Sequence, residues 1–207
     1  YEKYYTKSRS TAEYIYSTVS KHAKIKEFNV LDWGCGPGRV IRHMPAVMNA
    51  GCTFYGTDAN KKSITWCREH LPGISFNHNT LKADLPYKDD FFDLIYGISI
   101  FTHLSEEAHW SWAKELRRIL KPGGLMYITT QGGAFKQIMT LEEREKFDQG
   151  TFFARGNVQE GHRTYSAFHP PLFVRKLFGG MEILEHLDDR KGHSKWIPQD
   201  VWLMRKG

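Results

Sequence analysis

The stretch Val30-Leu31-Asp32-Trp33-Gly34-Cys35-Gly36-Pro37-Gly38-Arg39-Val40 constrains the chain more than any other. An apolar run from Phe28 to Leu31 ends in an acid. Glycines follow at every second position, and a new apolar-periodic segment then begins. That order predicts a strand, a tight loop and the start of a helix. Glycine suits such a loop because positive φ and close approach of a ligand both exclude a Cβ. The helix start leaves backbone N–H groups free to meet a bound molecule. In the dinucleotide fingerprint G-x-G-x-x-G, such a helix start faces a pyrophosphate. Here Gly38 comes too early, and Arg39 occupies the sixth position of that fingerprint. Asp32, just before the first glycine, would repel a pyrophosphate and suits a ligand carrying an ammonium group.

Periodicity organises the rest. Ser10 and Glu13 have capping-box spacing, and Ala12, Ile15, Tyr16, Val19 and Ala23 recur at helical intervals, so a helix is expected over 11–23. The tyrosine-rich arm ahead of it could lie over a ligand as a lid or pack as a simple arm. Phe28–Trp33 reads as a buried strand. Pro45 is expected to interrupt or end the helix that follows Gly38. Cys52–Thr57 is the second strand and runs into Asp58, 20 residues beyond Gly38. An α/β nucleoside site places there the acid that binds ribose hydroxyls. Asn60 caps a helix bearing Ile64, Cys67 and Leu71; Ile74–Asn77 and Phe91–Gly97 are further strands. Ser105 caps a helix with acids in its first turn and bases in its last, matching the helix dipole. Pro122-Gly123-Gly124 stops it, and Leu125–Thr130 follows as a strand.

This alternation predicts a parallel sheet with right-handed crossovers. Glu182–Leu187 and Asp200–Arg205 have no helix between them, only a hydrophilic turn over 188–195. They are expected to pair as an antiparallel hairpin. Between the fifth and sixth strands a helix near Pro171–Phe178 suffices for the crossover. The remainder, 131–170, holds a short helix at Leu141–Phe147 and a Gly- and aromatic-rich part from Gly150 to His169. It is longer than a compact domain needs and reads as an insertion covering the substrate.

Five segments stand in order: Val30 to Gly38, Tyr55-Gly56-Thr57-Asp58, Ala83-Asp84-Leu85-Pro86, Phe91-Phe92-Asp93-Leu94-Ile95-Tyr96 and Arg118-Ile119-Leu120-Lys121-Pro122-Gly123-Gly124. With the terminal hairpin, they resemble the class I S-adenosylmethionine (SAM) methyltransferases, the small family with one core domain. The resemblance implies a Rossmann-like α/β fold over 1–207 as one domain, with a seven-stranded, mostly parallel sheet and a C-terminal antiparallel hairpin. Residues 1–24 would form an N-terminal arm and helix acting as a lid. It implies SAM as cofactor. Asp32 with Gly34, Gly36 and Gly38 would hold its methionine part, and Asp58 its ribose. Asp84 would take its adenine amino group, with Ala59 and Leu85 on the base faces. Gln199-Asp200-Val201-Trp202-Leu203 also resembles the last strand of methyltransferases found with sugar- and envelope-modifying enzymes.

A hydroxyl acceptor must lose a proton. His103, after the fourth strand, and His169, beside Pro170-Pro171 and after Arg163-Thr164-Tyr165, are the candidate catalytic residues; each could instead be structural. No Asn-Pro-Pro-Tyr type segment follows the fourth strand, which argues against amino-group transfer to DNA bases or glutamine.

Composition bounds the remainder. Cys35, Cys52 and Cys67 are odd in number and unpatterned, so a reducing, cytoplasmic setting without disulfides is expected. No spacing suggests a metal site. The net charge of +6 is scattered, as in Lys61-Lys62 and Arg190-Lys191, which reads as a solvated surface rather than a nucleic-acid footprint. No run approaches the ~20 apolar residues of a membrane span. The chain begins at Tyr1, as a piece of a longer protein would. The expected activity is methyl transfer to a small-molecule or glycan acceptor, at oxygen. The alternatives are N-methylation, a non-catalytic SAM-binding domain of a larger protein, and a nicotinamide oxidoreductase, which Arg39 disfavours.

Overall fold

The structure is a computed structural model that describes residues 2–48, 51–156, 161, 164–188 and 197–207. The turn expected over 188–195 lies, beyond Asp188, outside the described residues, as do Tyr1, Arg163 and the Arg190-Lys191 pair.

Strands β1 (Asn29–Trp33), β2 (Thr53–Asp58), β3 (Ile74–His78), β4 (Phe92–Gly97) and β5 (Leu120–Thr130) alternate with helices, and two short strands, β6 (Phe153–Arg155) and β7 (Ser166–Phe168), precede β8 (Met181–Leu187) and β9 (Asp200–Lys206). The main sheet has seven strands in the order β3-β2-β1-β4-β5-β9-β8. β1 through β5 pair in parallel, while β9 runs antiparallel to both of its neighbours. The predicted Rossmann-like arrangement with a C-terminal hairpin is therefore observed. Reversal of strand order about β1 and β4 opens a crevice at the strands' carboxyl ends, where ligands bind in such sheets.

Alternation along each strand splits the core in two. Val30, Leu94 and Tyr96 face helix α1 (Glu2–Val19), helix α2 (Met44–Met48) and helix α3 (Lys61–His70), meeting Ile15, Val19, Met44 and Ile64. Leu31, Trp33 and Ile95 face helix α4 (Glu106–Ile119) and helix α6 (Pro171–Leu177), meeting Trp112, Leu116, Phe173 and Val174. Each such side chain is worth about 1.5–3 kcal/mol when fully buried.

Two helix starts differ from expectation. α1 begins at Glu2, not at residue 11. The Ser10 hydroxyl donates to the Thr6 carbonyl at 3.1 Å, inside the helix, and Glu13 pairs with Arg9 at 2.9 Å. The capping-box residues thus spend their polar atoms on one another's neighbours in mid-helix, and the expected arm is the helix's own first turns. Pro45 does not end a helix. A 3₁₀ turn, Ile41–His43, leads into α2, where Pro45 stands in the first turn. A proline is tolerated there because its missing N–H has no intrahelical acceptor.

The caps on α3 and α4 do form. Asn60 accepts from the Ser63 N–H, and the Ser105 hydroxyl accepts from the Ala108 N–H at 3.3 Å. Ser105→Ala is expected to cost about 1 kcal/mol, the usual value of an N-cap, read as a lower midpoint in urea unfolding at unchanged slope.

In the 131–170 region, Thr140 caps helix α5 (Leu141–Asp148) with a complete capping box. α5 and the β6–β7 pair enclose a small core of their own, Met139, Phe147 and Phe168.

Candidate active site

The glycine loop is held from within. Gly34 and Cys35 both donate their N–H to the Thr57 carbonyl, at 2.8 and 3.0 Å, and Gly38 donates to the Cys35 carbonyl. Gly36 donates to Asp58 Oδ2 at 2.8 Å. The expected supply of free amides from this loop is therefore spent on the protein, and what the loop offers is space. All three glycines have positive φ, +79°, +52° and +68°. A Cβ on Gly38 would come within 2.4 Å of Leu71, and one on Gly34 within 2.1 Å of Ile100, whereas one on Gly36 would meet no protein atom within 4 Å. Gly34 and Gly38 thus answer to packing. Gly36 opens onto a cradle.

Above the loop lies a cleft of about 530 Å³, counting space open to solvent, bounded by Trp33, Gly34, Asp58, Ala59, Asn79 and Leu81 on one side and Ile100, His103 and Gly161 on the other. Asp58 is fixed at the end of β2 by two backbone donors, Gly36 N–H to Oδ2 and Asn60 N–H to Oδ1 at 2.7 Å. A carboxylate has about four lone-pair sites, so two remain for a ligand's hydroxyls. Thr57 donates its hydroxyl to Asn79 Oδ1 at 2.7 Å, tying the ends of β2 and β3 together.

Asp84 and Leu85 are not part of this cleft. The Asp84 carboxylate is 72% exposed and 3.8 Å from Lys82 Nζ. Leu85 is buried in the core, 3% exposed. Their segment is clamped from α4: Glu115 accepts the Leu85 N–H at 2.8 Å, and Arg118 donates to the Leu85 and Tyr87 carbonyls. The Arg118 guanidinium also grips Glu115, and those hydrogen bonds hold the Glu115 carboxyl below its ordinary range against the opposing effect of burial. The clamp places Asn79, Thr80 and Leu81 at the cleft edge, with the Trp112 indole N–H on the Leu81 carbonyl at 3.1 Å. These residues follow the carboxyl end of β3, and that position was the signal that could have found them.

Asp32 lies under the loop, 4% exposed, and accepts the Tyr96 hydroxyl at 3.0 Å. Burial pushes its carboxyl up to about 7; the Tyr96 hydrogen bond pulls the other way, and Asp58 nearby adds to the rise. A buried acid this near neutrality is suited to a cationic partner.

The two histidines separate. His103 lines the cleft. Its Nδ1 donates to the Tyr165 carbonyl at 2.9 Å and its own carbonyl accepts the Gly161 N–H at 2.8 Å, so it fastens the 161–168 stretch across the cleft. His169 is not brought to the cleft: it is 1% exposed, with its Nε2 2.8 Å from His109 Nε2. His109 Nδ1 faces the Ser105 carbonyl at 2.6 Å and must donate to it, so neutral His109 accepts the bridging proton from His169. Phe101, Phe152 and Phe173 surround the pair. Burial first, and then His109, hold His169 well below the usual histidine range. A proline-flanked histidine looked like a loop residue; burial against a helix 60 residues away in sequence was not visible. Among the described residues no cluster of His, Cys, Asp or Glu is arranged to hold a metal ion, and no helix is long and apolar enough to cross a membrane.

Residues 30–124 match a family described as a methyltransferase domain. Over 104 residues the chain is 35% identical to a tRNA (carboxymethyluridine(34)-5-O)-methyltransferase of Arabidopsis thaliana, a match covering 48% of this chain and 23% of that protein. It is 31% identical over 104 residues to a ubiquinone biosynthesis O-methyltransferase of Cereibacter sphaeroides, covering 49% of this chain and 40% of that protein. The chain thus spans well under half the length of these curated relatives. A SAM-dependent methyltransferase of Methanosarcina mazei superposes with a TM-score of 0.66 at 19% identity, covering 91% of this chain and 96% of that one. That last likeness is one of fold.

Proposed function

The chain carries a methyltransferase domain of the class I, SAM-dependent kind, and on that premise we propose that it transfers the methyl group of SAM to a hydroxyl of a small-molecule or glycan acceptor, in a cytoplasmic setting. The observation that supports this most is Asp58, bridging the glycine-loop amide and the α3 cap while lining a cleft whose floor is the open face of Gly36.

The residues present fit the cofactor. Asp32 would take the ammonium, and Gly34, Gly36 and Gly38 would admit the methionine part. Asp58 would accept from the ribose hydroxyls, with Ala59 and Leu81 against the base and Asn79 at its edge. When bound, SAM supplies an electrophilic methyl on a sulfonium. Transfer breaks that carbon–sulfur bond, forms a carbon–oxygen bond and releases the hydroxyl proton. His103 is the proposed acceptor of that proton at Nε2, since its Nδ1 is engaged with Tyr165. The rest is alignment, which can contribute about 7–11 kcal/mol for well-oriented reactants.

SAM at about 100 times its dissociation constant is expected to stabilise the protein by about 2.7 kcal/mol, seen as a rise in melting temperature that NAD does not give. Asp58→Ala should abolish that rise. A shift with NAD in place of SAM would overturn the reading.

A second reading is a tRNA acceptor, favoured by the 35% identical segment and the net charge of +6. Binding to tRNA that weakens steeply with salt, with methyl incorporation into tRNA but not into small acceptors, would favour it.

A further inference from the structure

A second groove lies beside the cleft, and its chemistry differs. It runs between α1 and the ends of β4, β5 and β9, lined by Thr11, Tyr14, Ile98, Tyr127, Thr129 and Gln199. The two spaces share a partition. Ile98 faces the groove, Ile100 faces the cleft, and Ser99 stands between them. Ser99 has φ of +60°, which a non-glycine residue adopts at a cost and keeps only where its surroundings hold it. They do so here. The Ser99 N–H donates to Thr129 Oγ1 at 2.9 Å, and the Ser99 hydroxyl donates to Gln199 Oε1 at 2.8 Å. Thr129 donates to the same oxygen at 2.6 Å.

We propose that this groove is the acceptor pocket and that it takes a neutral ring bearing hydroxyl groups. The inference rests on the cofactor reading above and gives that reading its substrate class. Position is the first argument: the groove opens at the carboxyl ends of β4 and β5, one residue from the cofactor cleft, where in-line transfer needs the acceptor. Polarity is the second. Among the described residues that line the groove, none is charged, so a fixed charge entering it would lose water without gaining a counter-ion. The third is the kind of group presented. Gln199 Oε1 accepts two hydroxyls, which sets the amide and leaves Nε2, a donor, as its other end. The Tyr14 ring, 36% exposed, and Ile98 offer apolar faces to a ring, and hydroxyls of Thr11 and Tyr14 lie beside them. Ser10, also at the groove, already spends its hydroxyl on the Thr6 carbonyl. This moves the expected acceptor site away from the 131–170 insertion and onto the first helix.

The test uses the protein loaded with S-adenosylhomocysteine, the demethylated cofactor, and calorimetric titration of four probes. Catechol and methyl glucoside are neutral rings with hydroxyls; dopamine and 3,4-dihydroxybenzoate add one charge of either sign. At least one neutral probe is expected to bind ten-fold or more tighter than both charged ones. Thr11→Trp, which fills the groove, should weaken that binding at least ten-fold. Gln199→Glu should reverse the order of catechol and dopamine. SAM titrated into the wild type and each variant reports separately on the cofactor site. If SAM binds and no neutral probe does, or if charged probes bind within three-fold, or if Thr11→Trp changes nothing, the groove proposal is overturned while the cofactor reading stands. If the wild type takes up no SAM, the cofactor reading fails and the groove proposal with it.

Discussion

An Asp32→Asn protein is expected to melt higher than the wild type at pH 8 and to lose most of the rise that SAM gives. Asp32 is buried beneath the glycine loop, and its carboxyl is raised from 3.8 to about 7. Below pH 3.8 it is protonated in both the folded and unfolded states and costs nothing. Above pH 7 it is ionised in both, and the folded state bears the whole desolvation penalty. Stability from this group is therefore lost as pH rises from about 4 to about 7. A shift of that size corresponds to about 4 kcal/mol by linkage, at 1.36 kcal/mol per unit. Asparagine keeps the shape and can still accept the Tyr96 hydroxyl, but carries no charge to lose water. Calorimetric melting at pH 5 and pH 8 checks this, since the advantage of the variant should be large at pH 8 and smaller at pH 5. Equal destabilisation at both would show that the carboxylate is not a burden. SAM affinity of the wild type should in turn climb as pH passes 7, because the ammonium needs the ionised carboxyl. In the variant that limb should vanish.

The buried histidine pair carries the opposite pH dependence. His169 is held well below the usual histidine range by burial and by His109, so the unfolded chain takes up its proton near pH 6.5 while the folded chain refuses it. This contribution is constant above about pH 6.5. Below it, stability falls by up to about 1.4 kcal/mol per pH unit until the folded-state value is reached. His169→Ala should cost about 2–4 kcal/mol at pH 7.5, through the cavity left among Phe101, Phe152 and Phe173 and the orphaned His109 nitrogen. Replacing both histidines by leucine should recover most of that loss, because a hydrogen-bonded pair exchanged for apolar groups is nearly neutral. It should also flatten the acid limb. Denaturant midpoints between pH 5 and 8 read both effects. An acid limb of equal slope in the double variant would remove the pair as its source.

Local chemistry was legible in the sequence wherever the causes were local. The strand, glycines and Asp58 could be read because strand alternation, positive φ and the spacing of a βαβ unit are short-range constraints. Ser10 and Glu13 misled for the same reason. Their spacing satisfies a capping box, yet a helix already started at Glu2 leaves no free amides for Ser10 to cap. Ala83-Asp84-Leu85-Pro86 could not be read correctly from its own residues. Glu115 and Arg118, some thirty positions later, clamp Leu85 and thereby turn Asn79 to Leu81 toward the cleft. His109 and His169 gave no sign of each other for a similar reason: their contact exists only once α4 and the start of α6 pack on the same face of the sheet. What escapes reading is the set of polar contacts made across the sheet and between distant elements, which hydrophobic periodicity does not encode.

The place of β9 in the sheet bears on how the molecule is made. Residues 200–206 slot between β5 and β8, giving β5 its second neighbour and contributing buried Val201, Trp202, Leu203 and Met204. On the ribosome, β1 to β5 emerge with their crossover helices and can assemble. Until some seventy further residues have been translated, however, the long edge of β5 has no partner. An apolar open edge invites pairing with another chain. The nascent protein thus passes through a period in which its central strand is its most adhesive surface, and only the arrival of β9 closes it.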